Sequence, residues 1–385
     1  MQEDALYAFL AAFAVATLLT PLVARLARRI GAVDPVHERG LAREATPLLG
    51  GLAILTGALA AAAAFLPAEP ELRAILAAAA LVTVVGAVDD VRDLSPSVKL
   101  AGQVVAALIP VQAGVVVDNF TLPLVGRVAL GDLGAPVTVL GLVAVINVVN
   151  FSDGVDGLAA GVCAISAAAF AVIAFDLGED GAGVLAAITC GAALGFLVHN
   201  FHPASVFMGD AGSNLLGLLL GCVVVEGSLK TNALIALVIP LVVLAVPFLD
   251  TGFVLAKRIK YRRPVYRADA NHFHHRFARI GFSQRRTVLY LYGWTFAMAG
   301  AAVALRFVPY SDDHGDFDVG WSAVMGAILL IALGASVYLV YVLEILKLRR
   351  FREREARRAD PRVTDERIEA QVAEDLETGE FPALR

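Results

Sequence analysis

Stretches of about 20 mostly apolar residues recur along almost the whole chain, each long enough to carry an α-helix across a hydrocarbon layer roughly 30 Å thick. On that basis eleven spans are predicted: 5–24, 47–66, 72–88, 98–116, 134–149, 158–175, 181–199, 212–226, 232–256, 287–306 and 320–346. Lipid offers no hydrogen-bond partner to a backbone, so such segments have to be helices that satisfy their own N–H and C=O groups. The expected fold is all-α, a polytopic integral membrane bundle of about eleven transmembrane helices. Composition agrees: 58% of the 385 residues are hydrophobic and 17% charged, against about half and a quarter in soluble domains. Several spans are rich in Ala and Gly, which lets helices approach closely in lipid.

Charge placement sets the expected orientation. Glu3 and Asp4 precede the first span and Arg25, Arg28 and Arg29 follow it. A secretory signal has the opposite polarity, so the first span is expected to be uncleaved, with the N-terminus outside. Lys and Arg concentrate in cytosolic loops. Segments 25–46, 89–99, 257–286 and 347–385 then fall inside and hold 27 of the 31 basic residues, and the C-terminus is cytosolic. Two regions are expected, a membrane domain 1–346 and a charged cytosolic tail 347–385. The net charge of −5, with its basic residues beside apolar spans, gives no footprint for nucleic acid. Cys163, Cys190 and Cys222 each lie within an apolar run, with no zinc or redox spacing.

Four polar clusters interrupt this pattern, and all fall on the predicted cytosolic face. They are Asp89 to Pro96 (Asp-Asp-Val-Arg-Asp-Leu-Ser-Pro), Asn147 to Gly157, Phe207 to Ser213, and Asn271 to Arg276. A lone interfacial Asp is often a helix cap. Asp89, Asp90, Asp93, Asp153, Asp156 and Asp210 on one face would repel one another unless cations offset them, and carboxylates at a membrane boundary mark a functional site. Hard-cation ligation answers that need, and Mg²⁺ typically takes one or two carboxylates plus substrate phosphates. Gly154 and Gly157 flank Asp156, and Gly209 and Gly212 flank Asp210, before predicted helices. Such turns suit an anion at a helix N-terminus. Lys99 stands one turn into a helix opened by Pro96, near the carboxylates. His272, His274, His275 and Arg276 sit in the most basic loop, where phosphate recognition fits better than zinc.

These four clusters, in this order and over residues of about 31 to 286, resemble the polyprenyl-phosphate N-acetylhexosamine-1-phosphate transferases. That superfamily includes the bacterial phospho-N-acetylmuramoyl-pentapeptide transferase and the WecA/TagO-like N-acetylglucosamine-1-phosphate transferases. The His-Phe-His-His-Arg stretch with Gly281 and Ser283, and Asp-Asp-Val-Arg-Asp-Leu-Ser-Pro followed by Lys99 and Gln103, look like the second branch. Thr46-Pro47-Leu48-Leu49-Gly50-Gly51 also matches, but Gly40-Leu41-Ala42-Arg43 stands where the family has a His, so Arg43 is expected to supply that charge.

The resemblance implies that a sugar-1-phosphate passes from a UDP-N-acetylhexosamine to a polyprenyl phosphate, with release of UMP, in cell-envelope glycan synthesis. Asp210 is expected to hold Mg²⁺ (or Mn²⁺ in its place), with Asn150 completing its shell and Asp153 beside it. Asp89 and Asp90 are expected to engage the polyprenyl phosphate, and Asp89, Asp90 and Asp153 form the expected catalytic set. Asp156 matches the family position that contacts uracil. Lys99, Asp93, Asn147, Arg43, His272, His274, His275 and Arg276 are the remaining expected substrate contacts. Direct attack and a covalent step through an aspartate both stay open here, as do the muramoyl-pentapeptide donor and a homodimeric assembly. The implied location is the plasma membrane, with the site on the cytosolic face. A transporter would place ionisable residues near the bilayer midplane; here they crowd one interface, and Asp250 comes nearest to an exception.

Overall fold

The computed structural model describes residues 2–34, 45–122, 126–229, 283–308 and 318–336, and single positions 244, 245, 248, 249, 338 and 364. Nearly all of the expected ninth span, of the 257–286 loop and of the 347–385 tail lies outside the described residues. So do Arg43, His272, His274, His275 and Arg276.

The chain is a multi-pass helical membrane protein. In order, its helices are α1 (Gln2–Ile30), α2 (Gly50–Phe65), α3 (Pro70–Arg92), α4 (Pro96–Gln112) and α5 (Gly134–Ser152), then α6 (Leu158–Asp176), α7 (Asp180–Asn200), α8 (Gly209–Val224), α9 (Gln284–Phe307) and α10 (Val319–Ser336). Among the described residues, eight helices are long and apolar enough to cross a membrane, and α2 is a shorter apolar one. Local signals explain their ends. Pro70 and Pro96 open α3 and α4, where a missing N–H costs nothing. Glu3 and Asp4 in the first turn of α1, and Arg28 and Arg29 in its last, oppose the helix dipole. The Ser283 hydroxyl accepts from the N–H of Arg286 to cap α9.

Helix α8 forms the centre, buried along nearly its whole length, with α2, α3, α5, α6 and α7 packed around it. Helix α1 lies against α2 and α7 and turns its small residues inward: Ala8, Ala12 and Ala16 are fully buried, while Leu6, Leu10, Leu18 and Leu22 are exposed. This large-out, small-in pattern is what a lipid-facing helix needs, because close backbone packing drives association where lipid is as apolar as leucine. On the other flank, α9 packs on α6 through Val288, Leu291 and Trp294 against Val155, Leu158 and Val162.

Helix ends meet at one end of the bundle. A short antiparallel ribbon, β1 (Val33–Asp34) with β2 (Thr46–Pro47), closes the segment between α1 and α2. The strand of chain before α8 is laced to it: Phe207 N–H donates to Pro47 O, Gly50 N–H to Phe207 O, and Gly51 N–H to Met208 O. A second ribbon, β3 (Asn119–Leu122) with β4 (Gly126–Ala129), lies between α4 and α5.

At the ends that carry the polar clusters, α3, α5 and α8 run further than hydropathy predicted, and this changes the setting of those clusters. Asp89 and Asp90 lie in the last turn of α3, Asn147 and Asn150 within α5, and Asp210 in the first turn of α8. A hydropathy window stops at the first charge, but a helix continues while its backbone groups find partners. The clusters read as loops are therefore largely held on rigid helix termini.

Candidate active site

Asp89, Asp90 and Asp210 present carboxylate oxygens within 4.8 Å of one another. Close approach of α3 to α8 makes this possible. A Cβ on Gly86, one turn before Asp89, would lie 2.5 Å from the Asp210 carbonyl oxygen. The N–H groups that open α8 find an anion from the chain itself: Asp90 accepts from Asp210 N–H at 2.7 Å and from Ala211 N–H at 3.2 Å. The anion-binding turn expected from the glycines is thus filled by a protein carboxylate, at a dipole end that favours negative charge. Gly209 has φ of 66°, and a Cβ there would stand 2.3 Å from an Asp90 oxygen.

Lys99 reaches in from α4. Its ammonium lies 2.6 Å from Asp89 Oδ2 and 2.6 Å from Asp210 Oδ2. The other Asp89 oxygen accepts from Leu94 N–H at 2.7 Å, fixing the turn at which α3 ends. Asp93 closes that helix in the left-handed region, with φ of 51°, and its side chain is exposed. From α5, Asn150 Nδ2 donates to Asp210 Oδ1 at 3.0 Å and to Ser213 Oγ at 2.8 Å. Asn150 thus steadies the Asp210 carboxylate with its amide N–H₂.

The segment joining α5 to α6 adds two more carboxylates. Asp153 is half-buried; its N–H donates to Asn150 O at 3.2 Å, and its carboxylate has no hydrogen-bond or ion-pair partner among the described residues. Burial, then the negative charges of Asp210, Asp90 and Asp156, push its carboxyl up to about 8. Asp156 has partners: His202 donates Nδ1–H to its Oδ2 at 2.7 Å, and Ala204 N–H donates to the same oxygen at 3.1 Å. The turn is held from both sides. Gly157 N–H donates to Asn200 Oδ1 at 3.0 Å, and the Tyr292 hydroxyl of α9 donates to Gly157 O. Arg285 Nε, at the start of α9, donates to His202 O at 3.0 Å.

One helical turn deeper lies a layer of amides, buried at Gln103 and Asn214 and half-buried at Asn147. Asn147 Nδ2 donates to Gln103 Oε1 at 2.7 Å and to Val143 O at 2.8 Å. Gln103 Nε2 donates to Asn214 Oδ1 at 3.3 Å. Asn147, expected among the substrate contacts, is bonded within this layer.

The structure therefore brings together Asp89, Asp90, Lys99, Asn150, Asp153 and Asp210 from four helices and one connection, with Asp156 in the same connection. The sequence reading did not assign roles to Ser213, Asn214, His202 or Tyr292. Asn214 carries a readable signal, an amide four residues past Asp210 in an apolar helix. His202 and Tyr292 are brought in only by tertiary contacts.

The residues present fit a hard divalent cation. Three carboxylates and the Lys99 ammonium leave a formal charge of −2 in a site of oxygen donors. Fold and site define a polytopic membrane protein with a lysine-bridged acidic centre at one end of its bundle. Residues 72–228, which contain all of that centre, match glycosyl transferase family 4. A Bacillus subtilis protein named "Probable undecaprenyl-phosphate N-acetylglucosaminyl 1-phosphate transferase" is 37% identical over 301 residues, 78% of this chain and 84% of its own length. The decaprenyl-phosphate N-acetylglucosaminephosphotransferase of Mycobacterium tuberculosis H37Rv is 36% identical, over 86% of this chain and 90% of its own length. The phospho-N-acetylmuramoyl-pentapeptide-transferase of Desulforudis audaxviator is 35% identical, over 76% of this chain and 95% of its own length. The chain belongs to glycosyl transferase family 4.

Proposed function

We propose that this protein transfers N-acetylglucosamine-1-phosphate from UDP-N-acetylglucosamine to a polyprenyl phosphate at the cytosolic face of the plasma membrane, releasing UMP. The observation that carries the reading is the convergence of Asp89, Asp90 and Asp210 on Lys99 in a chain of this family. Relatives named for polyprenyl-phosphate N-acetylglucosamine transfer supply the sugar and the lipid.

In the reaction, an oxygen of the lipid phosphate attacks the phosphorus bonded to the sugar. A new P–O bond forms, the bridge to the uridine-bearing phosphorus breaks, and UMP leaves with that oxygen. Mg²⁺ held by Asp210, with Asp89 and Asp90 nearby, would supply charge neutralisation at the pyrophosphate oxygens. Lys99 is the described cation placed to hold a phosphate oxygen beside Asp210. Arg43, His272, His274, His275 and Arg276 would add positive charge. Asp156, steadied by His202 and Ala204, would receive the uracil N–H. Direct attack is favoured over an aspartyl intermediate, because each Asp90 oxygen already accepts a backbone N–H and Asp89 is bonded to Leu94 and Lys99. A phosphate monoester with a second pKa near 6 is already ionised at neutral pH and asks little of a base.

The test is UMP release by purified protein given a polyprenyl phosphate and a panel of UDP-sugars. UDP-N-acetylglucosamine should be the preferred donor. Preference for UDP-N-acetylmuramoyl-pentapeptide would move the protein to the other branch, and no UMP from any donor would refute the reaction.

A further inference from the structure

The charged centre stands on a second polar layer that the proposed chemistry does not use. Its three amides share helices with three residues of the centre: Gln103 lies one turn from Lys99 on α4, Asn147 one turn from Asn150 on α5, and Asn214 one turn from Asp210 on α8. Gln103 and Asn214 are almost fully buried, at 4% and 1% exposure. Burying amides in a membrane protein is unfavourable unless they bond one another, and here they do, in a continuous run. Asn147 donates to the Gln103 oxygen, and the Gln103 nitrogen donates to the Asn214 oxygen. Glutamine suits the middle position because one planar group offers both an acceptor and a donor. Packing alone does not call for it, since a methionine would fill similar volume with no polar atom to satisfy.

Helix α4 packs mainly against α3 and α5 and touches α8 little. Yet Lys99 must reach Asp210 on α8, and Asn150 on α5 must reach the same carboxylate. The Gln103 amide ties α4 to both partners one turn below those contacts. We propose that the Asn147–Gln103–Asn214 run is a positioning device that fixes α4 and α5 against α8, setting how Lys99 and Asn150 meet Asp210. The proposal rests on the reading of Asp210 as the carboxylate that holds the divalent cation. Such supporting hydrogen bonds orient metal-binding groups, and their loss typically lowers metal affinity or activity about 10- to 100-fold.

The test measures Mn²⁺ binding to the purified full-length protein by electron paramagnetic resonance, with thermal midpoints in the same detergent. Gln103→Met should weaken Mn²⁺ binding roughly tenfold or more, in protein that still unfolds cooperatively, with a thermal midpoint lowered because the Asn214 oxygen loses its partner. Asn214→Leu added to Gln103→Met should weaken binding little further, because residues acting as one unit are non-additive. Asn147→Leu, at the half-buried end of the run, is the second variant should Gln103→Met fold poorly, and it should show the same loss. Wild-type Mn²⁺ affinity in Gln103→Met or in Asn147→Leu overturns the proposal. Asp210→Asn keeps the two readings apart. If wild type binds Mn²⁺ and Asp210→Asn does not, unchanged affinity in the amide variants defeats the positioning role alone. If wild type binds no Mn²⁺, the metal reading falls and the positioning role falls with it.

Discussion

Asp90, in the last turn of α3, caps the helix that carries Asp210: its carboxylate accepts the backbone N–H of Asp210 at 2.7 Å and that of Ala211 at 3.2 Å. The bond joins two elements 120 residues apart and places both carboxylates at one helix N-terminus. Removing the acceptor leaves two N–H groups unpaired, at about 1–3 kcal/mol for a buried group. Asp90→Ala should therefore lower the thermal midpoint clearly. Asp90→Asn, which keeps an oxygen acceptor, should lower it less. Equal midpoints for the two variants would argue against a capping role.

Gly209 should tolerate no side chain. At φ of 66° a Cβ would stand 2.3 Å from Asp90 Oδ2, so Gly209→Ala must both strain the turn and push the cap aside. The αL conformation alone costs roughly 1–2 kcal/mol in a non-glycine residue. A displaced carboxylate should reduce transfer on the order of 100-fold. Steady-state UMP release from Gly209→Ala checks this, and near-wild-type turnover would contradict it.

Asp153 gives a pH dependence with a defined sign. Its carboxyl ordinarily ionises near 3.8 and is pushed up to about 8 in the folded protein, first by burial and then by the charge of Asp210. Between those values the folded chain holds a proton that the unfolded chain has lost. Stability from this group therefore falls as pH rises through the window and levels off above it. Asp153→Asn should flatten the fall, read as thermal midpoint against pH in metal-free buffer. An unchanged slope would mean that Asp153 does not carry it.

Much of the fold was legible because transmembrane helices announce themselves by length and apolarity. The boundaries were less legible. Asp89, Asp90, Asn150 and Asp210 looked like loop residues because charged and strongly polar side chains end a hydropathy window, whereas the helices carry them on their terminal turns. In the site, the residue types and their common face could be read, and the bonding could not. Nothing local to Asp90 indicates that it caps α8, since its partner is far along the chain. Gln103 and Asn214 did leave a trace, as amides within apolar spans, but hydrogen bonding between α4 and α8 emerges only once the helices are packed. His202 lay unremarked in a short connection because its significance comes from reaching Asp156.

That contact supports a split in kinetic effects. His202→Ala removes one of the two described donors to Asp156 Oδ2 and leaves the Ala204 N–H. A hydrogen bond to a charged group contributes about 1.5–3 kcal/mol. If Asp156 reads the uridine, KM for the UDP-sugar should rise roughly tenfold or more, with kcat changed little. A fall in kcat at constant KM would place His202 in the chemistry instead.

The most direct test of the central claim, that the Asp210-centred carboxylates with Lys99 form a metal-dependent transfer site, is UMP release after chelation with EDTA and readdition of Mg²⁺, for wild type and Asp210→Asn in parallel. Wild-type transfer should vanish on chelation and return with Mg²⁺. Asp210→Asn should stay lower by a factor on the order of 1,000 at saturating Mg²⁺. Transfer that survives chelation in wild type, or proceeds at the wild-type rate in Asp210→Asn, would contradict the account.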